Sequence, residues 1–121
     1  MKNPIQWLEI TSTNLERAKD FYSKVFNLEF QLSEMPEYKM YMFGMPNAVG
    51  SSGALVQDSI NKPSTDGTVI YFSCENLSTE LGRVEAAGGK LLIPKTDIGE
   101  FGFFAHIIDT EGNRIGLHSE I

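Results

Sequence analysis

Two stretches of this chain, centred on Asn14 and Asn76, repeat one pattern 62 residues apart. In each copy a strand-like alternation of side chains leads into an asparagine, and a segment of helical spacing follows. Alternation predicts a half-buried β-strand, whereas apolar residues three and four positions apart predict an amphipathic helix. A repeat of this length that spans the chain indicates two copies of one supersecondary unit sharing a core. The question is then what the surface between the copies holds.

The first copy predicts one helix and four strands. The helix spans about 15–26, because its apolar residues recur at helical spacing, and Ser12, Thr13 or Asn14 can cap its first amides. Alternation and turn residues place the strands at 5–11, 28–32, 38–43 and 53–57. This order is one βαβββ unit, which we assign to residues 4–57.

The second copy follows the same order after a polar segment, 58–67, whose Pro63 and Gly67 are typical of a linker. Its helix starts near Leu77 and ends at Gly88-Gly89, where glycine accepts a left-handed C-cap. Strands are predicted at 69–74, 91–93, 101–108 and 114–118, with a hairpin turn at 109–113. The second βαβββ unit is therefore assigned to residues 68–121.

Composition limits the possible functions. A chain of 121 residues, 41% of them hydrophobic, is expected to form a single domain with a sizeable core. The formal charge of −6 and the lack of a basic cluster argue against a nucleic-acid partner. No apolar run is long enough to cross a bilayer, so we predict no membrane partner and a cytoplasmic location. The single cysteine, Cys74, is interpreted as a small buried hydrophobe rather than a reactive thiol.

Three segments together resemble a known superfamily: NLERAKDFYSKVF at 14–26, EAAGGK at 85–90 and DTEGNRIGLH at 109–118. They are similar to the vicinal oxygen chelate superfamily, which includes glyoxalase I, fosfomycin resistance proteins, extradiol dioxygenases and bleomycin resistance proteins. The resemblance implies an α+β fold in which two paired βαβββ modules form an open cup-shaped mixed sheet. It also implies a homodimer and a small-molecule ligand in the cup.

Enzymes of that superfamily hold one divalent metal in the cup through four His, Gln or Glu side chains. The positions that the resemblance matches to three of these ligands are Trp7, Val69 and Gly116, and Gln57 is the only plausible donor near the fourth. Indole, isopropyl and hydrogen have no lone pair to offer a metal ion. We therefore expect neither the usual metal nor another cofactor.

Two positions further along the same strands, a side chain lies on the same face of the sheet. This step leads from Trp7 to Glu9, from Val69 to Tyr71 and from Gly116 to His118. These ionisable residues are the candidate catalytic group: Glu9 and His118 as an acid–base pair, with Tyr71 orienting a substrate oxygen. They could instead hold a displaced metal, or form a buried polar network with no catalytic role, and we favour a network or a ligand-contact site.

Four further residues are candidates for ligand contact: Trp7, Gln57, Phe101 and His106. Phe101 lies between Gly99 and Gly102 in a loop suited to a pocket rim. His106 either reaches the cup or is a satisfied, half-buried histidine, and we favour the second interpretation.

Three function classes remain open from the sequence. The first is a metal-free protein that binds a cationic or aromatic molecule, resembling bleomycin resistance proteins. The second is a lyase or isomerase resembling glyoxalase I, with a displaced metal or a metal-free Glu9/His118 pair. The third is a regulatory or interaction module. The sequence leaves open whether the chain is an enzyme, and its residues favour the first of these classes.

Overall fold

The computed structural model describes residues 3–35, 38–45 and 47–121 of the chain. Within them lie eight strands, two α-helices and one 3₁₀ turn (Gly99–Phe101). The helices and strands are β1 (Trp7–Thr11), α1 (Leu15–Phe26), β2 (Gln31–Met35), β3 (Tyr38–Phe43), β4 (Ser52–Gln57), β5 (Tyr71–Ser73), α2 (Leu77–Val84), β6 (Lys90–Asp97), β7 (Phe103–Ile108) and β8 (Arg114–Ser119).

The strands form two four-stranded mixed sheets of identical topology, in the orders β1-β4-β3-β2 and β5-β8-β7-β6. In each sheet the strand before the helix pairs in parallel with the last strand of its unit, and the other pairs are antiparallel. The α+β fold built from two βαβββ units is confirmed.

The 62-residue repeat holds at the level of individual hydrogen bonds. Asn14 and Asn76 both precede a helix with φ of −142°, and the side chain of each accepts a backbone N–H of the first helical turn. The first amide of α1 donates to the Gln57 side chain, and the first amide of α2 donates to Ser119 Oγ. Each of these pairs is separated by 62 positions. The same spacing relates the strand pair Glu9 and Ala54 to the pair Tyr71 and Gly116.

One core serves both halves. Both helices pack on one side of the sheets and contact each other. The apolar stripe of α1 is buried, as its spacing predicts. Phe72 of β5 stacks on Phe26 of α1 with ring centroids 4.2 Å apart and also meets Phe43 of β3. Because such aromatic contacts cross between the halves, neither unit buries its apolar face alone.

Several boundaries differ from the sequence predictions. Asn27 ends α1 in a left-handed conformation with φ of 56°, and β2 starts at Gln31 rather than at residue 28, because Leu28 and Phe30 pack against the core in the connection. β5 is shorter than predicted and begins at Tyr71. β6 is much longer than predicted, with register shifts against β7, and alternation is a poor guide where a strand carries bulges.

Candidate functional site

The face of the second sheet that is turned away from the helices carries an open pocket of about 540 Å³. Strand residues from β5, β7 and β8 form its floor and the 3₁₀ turn supplies its rim. The lining residues are Tyr71, Ser73, Ile98, Phe101, Phe104 and His118. Five of these six residues have an aromatic, imidazole or aliphatic side chain, so the pocket is largely apolar with a few polar groups, as small-molecule sites are.

Tyr71 forms the floor because its strand partner is glycine. It pairs with Gly116 across β5 and β8, and a Cβ built on Gly116 would lie 2.5 Å from two atoms of the Tyr71 ring. The ring therefore occupies space that any side chain at position 116 would need. It remains 52% exposed, and its hydroxyl lies 2.7 Å from His106 Nε2.

His106 lies beneath the pocket at 7% exposure, with its ring edge-on to both Tyr71 and Phe104. Its Nε2 meets the Tyr71 hydroxyl, while Nδ1 is buried and has no hydrogen-bond partner among the residues that the structure describes. Burial, and then the positive charge of Arg114, lower the pKa of His106 below its ordinary value. A pKa below 6.5 keeps the imidazole mainly neutral at pH 7. The prediction of a satisfied, half-buried histidine therefore holds only in part: one ring nitrogen is hydrogen-bonded and the other is not, and the side chain is buried rather than half-buried.

His118 positions the rim of the pocket. Its Nε2 lies 2.5 Å from the carbonyl oxygen of Phe101, and because a carbonyl only accepts, the imidazole donates. Phe101 itself is 68% exposed at the mouth. Gly102 has φ of 94°, and a Cβ there would come within 2.4 Å of the Ser119 carbonyl oxygen, so the turn fits closely over the end of β8.

Glu9 is not brought to this pocket. It lies on β1 in the other sheet, where its Oε2 accepts from the Trp7 indole N–H at 3.2 Å. Glu9 lines a separate, polar groove together with Lys62 of the linker and Arg114. The predicted grouping is therefore corrected: Tyr71 and His118 share a pocket, but Glu9 does not join them, because β1 and β5 belong to different sheets.

Trp7 and Gln57 also lie outside the pocket. Trp7 is 43% exposed on the open face of the first sheet. Gln57 Oε1 accepts the first amide of α1 at 2.9 Å, so its side chain serves the helix side of β4. The repeat makes Gln57 the counterpart of Ser119, whereas the counterpart of Gly116 is Ala54. Matching Gln57 to a fourth ligand position was wrong.

The side chains do not fit the metal ion that the superfamily resemblance implies. Trp7, Val69, Gly116 and Ala54 offer no lone pair at the matched positions, and the Tyr71 ring covers Gly116. Across residues 3–35, 38–45 and 47–121, no three His, Cys, Asp or Glu side chains converge in a way that could hold an ion.

Sequence reasoning missed three lining residues: Ser73, Ile98 and Phe104. Phe104 had a usable signal, since alternation puts it on the same face as His106, and Ser73 likewise follows Tyr71 at a spacing of two. Ile98 had none, because it lies in the connection between β6 and β7, whose shape depends on the turn at Gly102.

This fold, with its doubled βαβββ unit and an open pocket on a sheet face, defines the class of protein. The chain belongs to the Glyoxalase/Bleomycin resistance protein/Dioxygenase superfamily, whose family model matches residues 4–117. A protein of Didymella fabae, described as a glyoxylase-like domain-containing protein, is 32% identical over 116 residues, which cover 90% of this chain and 88% of that protein. Neither described helix has the length and apolar character that a membrane crossing requires.

Solved structures share the fold at low identity. A glyoxylase/bleomycin resistance protein/dioxygenase domain from Frankia sp. EAN1pec matches with a TM-score of 0.76 at 14% identity, covering 98% of both chains. The fosfomycin resistance protein FosX from Listeria monocytogenes matches with a TM-score of 0.74 at 17% identity, covering 98% of this chain and 92% of that one. A glyoxalase I mutant from Zea mays matches with a TM-score of 0.75 at 16% identity, over 97% of this chain and 46% of that one. This chain thus spans about half of the maize protein.

Proposed function

We propose that this protein binds a small organic molecule in the pocket on its second sheet, without the metal that enzymes of the superfamily use. The observation that carries this proposal is the pocket itself: about 540 Å³, open to solvent, with Tyr71, Phe101 and Phe104 in its lining. A ligand that covers the apolar surface of these aromatic side chains lowers the free energy of the complex. A pocket of this volume suits a small molecule.

The positions matched to metal ligands support a metal-free site. Trp7, Val69 and Gly116 have no lone pair to hold a metal ion, so these residues are better accounted for by ligand binding than by the superfamily's metal chemistry. We also propose that the protein acts in the cytoplasm. We further propose that it forms a homodimer, because large apolar side chains outside the pocket, including Ile5 and Trp7, are exposed. Light scattering during size-exclusion chromatography tests the dimer.

A metal-free lyase or isomerase is a second candidate function, favoured by one observation. Tyr71 and His118, which can both exchange a proton, line the same pocket. Replacing His118 with Gln should then abolish turnover of a small carbonyl–thiol adduct while ligand binding persists. If wild-type protein shows no turnover of such adducts, binding alone remains.

The binding proposal is tested by fragment screening with ¹H–¹⁵N correlation spectra of the labelled protein. Fragments that bind should shift the amide resonances of Tyr71, Ser73 and His118. The substitution Phe101→Ala should weaken the binding of these fragments. Ile60→Ala, which removes another well-exposed apolar side chain, from the linker, is the matched control and should leave binding unchanged. Hits that map elsewhere, or that survive Phe101→Ala unaltered, would contradict the proposal.

An elemental measurement completes the test. Protein prepared with no chelator should carry no stoichiometric divalent metal, and adding Zn²⁺ or Mn²⁺ should not shift the amides of Tyr71 or His118. Stoichiometric metal that changes those amides would refute the metal-free part of the proposal while leaving ligand binding in place.

A further inference from the structure

The direction of one hydrogen bond decides what the pocket offers a ligand. Tyr71 Oη and His106 Nε2 lie 2.7 Å apart, and either group can be the donor. A neutral imidazole has a single N–H, so the choice at Nε2 fixes the state of Nδ1. If Tyr71 donates to Nε2, then Nδ1 carries the hydrogen, and if Nε2 donates to Tyr71, then Nδ1 keeps a lone pair.

The surroundings of Nδ1 favour the lone pair. Nδ1 is buried and meets no hydrogen-bond partner in the described part of the chain. Buried N–H groups without an acceptor are rarer in proteins than under-satisfied acceptors. The positive charge of Arg114 also acts on this imidazole and disfavours its doubly protonated, cationic form. His106 therefore donates from Nε2 to the Tyr71 oxygen.

The consequence falls on the Tyr71 hydroxyl. Its oxygen already accepts from His106, which leaves the O–H hydrogen available for donation. The ring is half exposed and lines the pocket, so the open space next to the hydroxyl is where a ligand atom would accept that hydrogen. His106 acts here as a positioning residue, since it fixes the direction in which Tyr71 donates.

The rest of the lining restricts the charge of the ligand. None of the six lining residues is Lys, Arg, Asp or Glu. A charged group entering the pocket would lose water without gaining an ionic partner, and that desolvation is costly. The lining therefore offers no ionic partner to the cationic ligand that the net charge of the whole chain suggests, because the acidic side chains lie outside the pocket.

We propose that the pocket selects uncharged aromatic molecules that carry an oxygen able to accept a hydrogen bond from the Tyr71 hydroxyl. This inference rests on the proposed function, since it names the ligand class of the same pocket. The ring of such a ligand would pack against Phe101 and Phe104, whose aromatic surfaces flank the polar floor.

A matched pair of probes tests the inference. Acetophenone has an aromatic ring and an acceptor oxygen, and ethylbenzene is close in shape without the oxygen. One neutral hydrogen bond should make acetophenone bind about fivefold more tightly to the wild-type protein, measured from chemical-shift titrations. Benzoate and benzylammonium should bind more weakly than either. In Tyr71→Phe, which keeps the ring over Gly116, the two neutral probes should bind equally.

The outcomes separate the two proposals. If none of the four probes shifts the pocket amides, the proposed binding function fails. If ethylbenzene binds as tightly as acetophenone, or the preference persists in Tyr71→Phe, the binding function stands and this inference is overturned. A long-range ¹H–¹⁵N correlation spectrum of the imidazoles gives an independent readout: a proton on Nε2 of His106 supports the inference and a proton on Nδ1 overturns it.

Discussion

The ring of Tyr71 rests directly on the backbone of Gly116, its parallel partner in the second sheet. At the corresponding place the first sheet has Glu9 beside Ala54, so this position of the repeat carries different side chains in the two copies. In one copy the absence of a side chain makes room for an aromatic floor, and the pocket is built on that floor.

Gly116→Ala should therefore destabilise the protein by about 1–3 kcal/mol, the usual cost of overpacking a well-filled site. Gly116 has no positive φ, so the effect is steric contact with the Tyr71 ring rather than backbone strain. Urea denaturation measures the change. In a Tyr71→Ala background the same substitution should cost much less, and an equal cost in both backgrounds would show that the ring is not the obstacle.

Gly82→Ala is the matched glycine substitution with the opposite expected sign. Gly82 lies inside α2, and a Cβ built there meets nothing within 4 Å. Alanine is the better helix former, so the free energy of unfolding should rise by about 0.5–1 kcal/mol. A loss of stability in the same urea experiment would mean that α2 needs the glycine for a reason other than packing.

Gln57→Ala and Ser119→Ala should each weaken one helix start and leave the other unchanged. Each removes the side-chain acceptor of a helix's first amide, at an expected cost of about 1 kcal/mol. Hydrogen exchange gives the local readout: the amide of Leu15 should exchange faster in the Gln57 variant and that of Leu77 in the Ser119 variant. Faster exchange at both amides in either variant would contradict the independence of the two sites.

Much of the fold was predictable because its signals are local. The helical stripe of α1, the asparagine caps and the doubled βαβββ order all follow from spacing within one segment. The start of β2 and the length of β6 were not predictable in this way. They depend on the left-handed Asn27 and on bulges, which reflect packing against distant strands.

The site was predictable only in part, for a related reason. Alternation placed Tyr71 and His118 on one face of one sheet, and the structure has both in the pocket. The same rule extended to Glu9 failed, because it assumed that the open faces of the two sheets form one surface. Tyr71 and His106 are 35 positions apart in the sequence and lie on strands that are not neighbours in the sheet. No local sequence pattern predicts their contact.

The thiol of Cys74 should resist alkylation in the folded protein. Burial, and then the negative charge of Glu80, raise its pKa to about 12, so almost no thiolate is present at pH 8. Iodoacetamide should therefore modify Cys74 far more slowly in native protein than in urea, as followed by mass spectrometry. Comparable rates in the two states would contradict both the raised pKa and the interpretation of Cys74 as a structural hydrophobe.

Stability should also fall in acid because of Glu111, whose side chain is fully buried against Arg17 at 2.7 Å. Burial alone would raise its pKa, but hydrogen bonds from Arg17 and from the amides of Asn14 and Thr13 outweigh burial and lower it from 4.5 to about 2. A lowered folded-state pKa stabilises the protein above pH 4.5, and this contribution is lost as the pH falls towards 2. Glu111→Gln should therefore lower the free energy of unfolding by on the order of 2 kcal/mol at pH 7 and by almost nothing at pH 2. The control Glu100→Gln, on the exposed turn, should change the free energy of unfolding little at either pH. Urea midpoints at both pH values measure the difference, and a Glu111→Gln penalty independent of pH would show that the carboxylate charge is not what stabilises the start of α1.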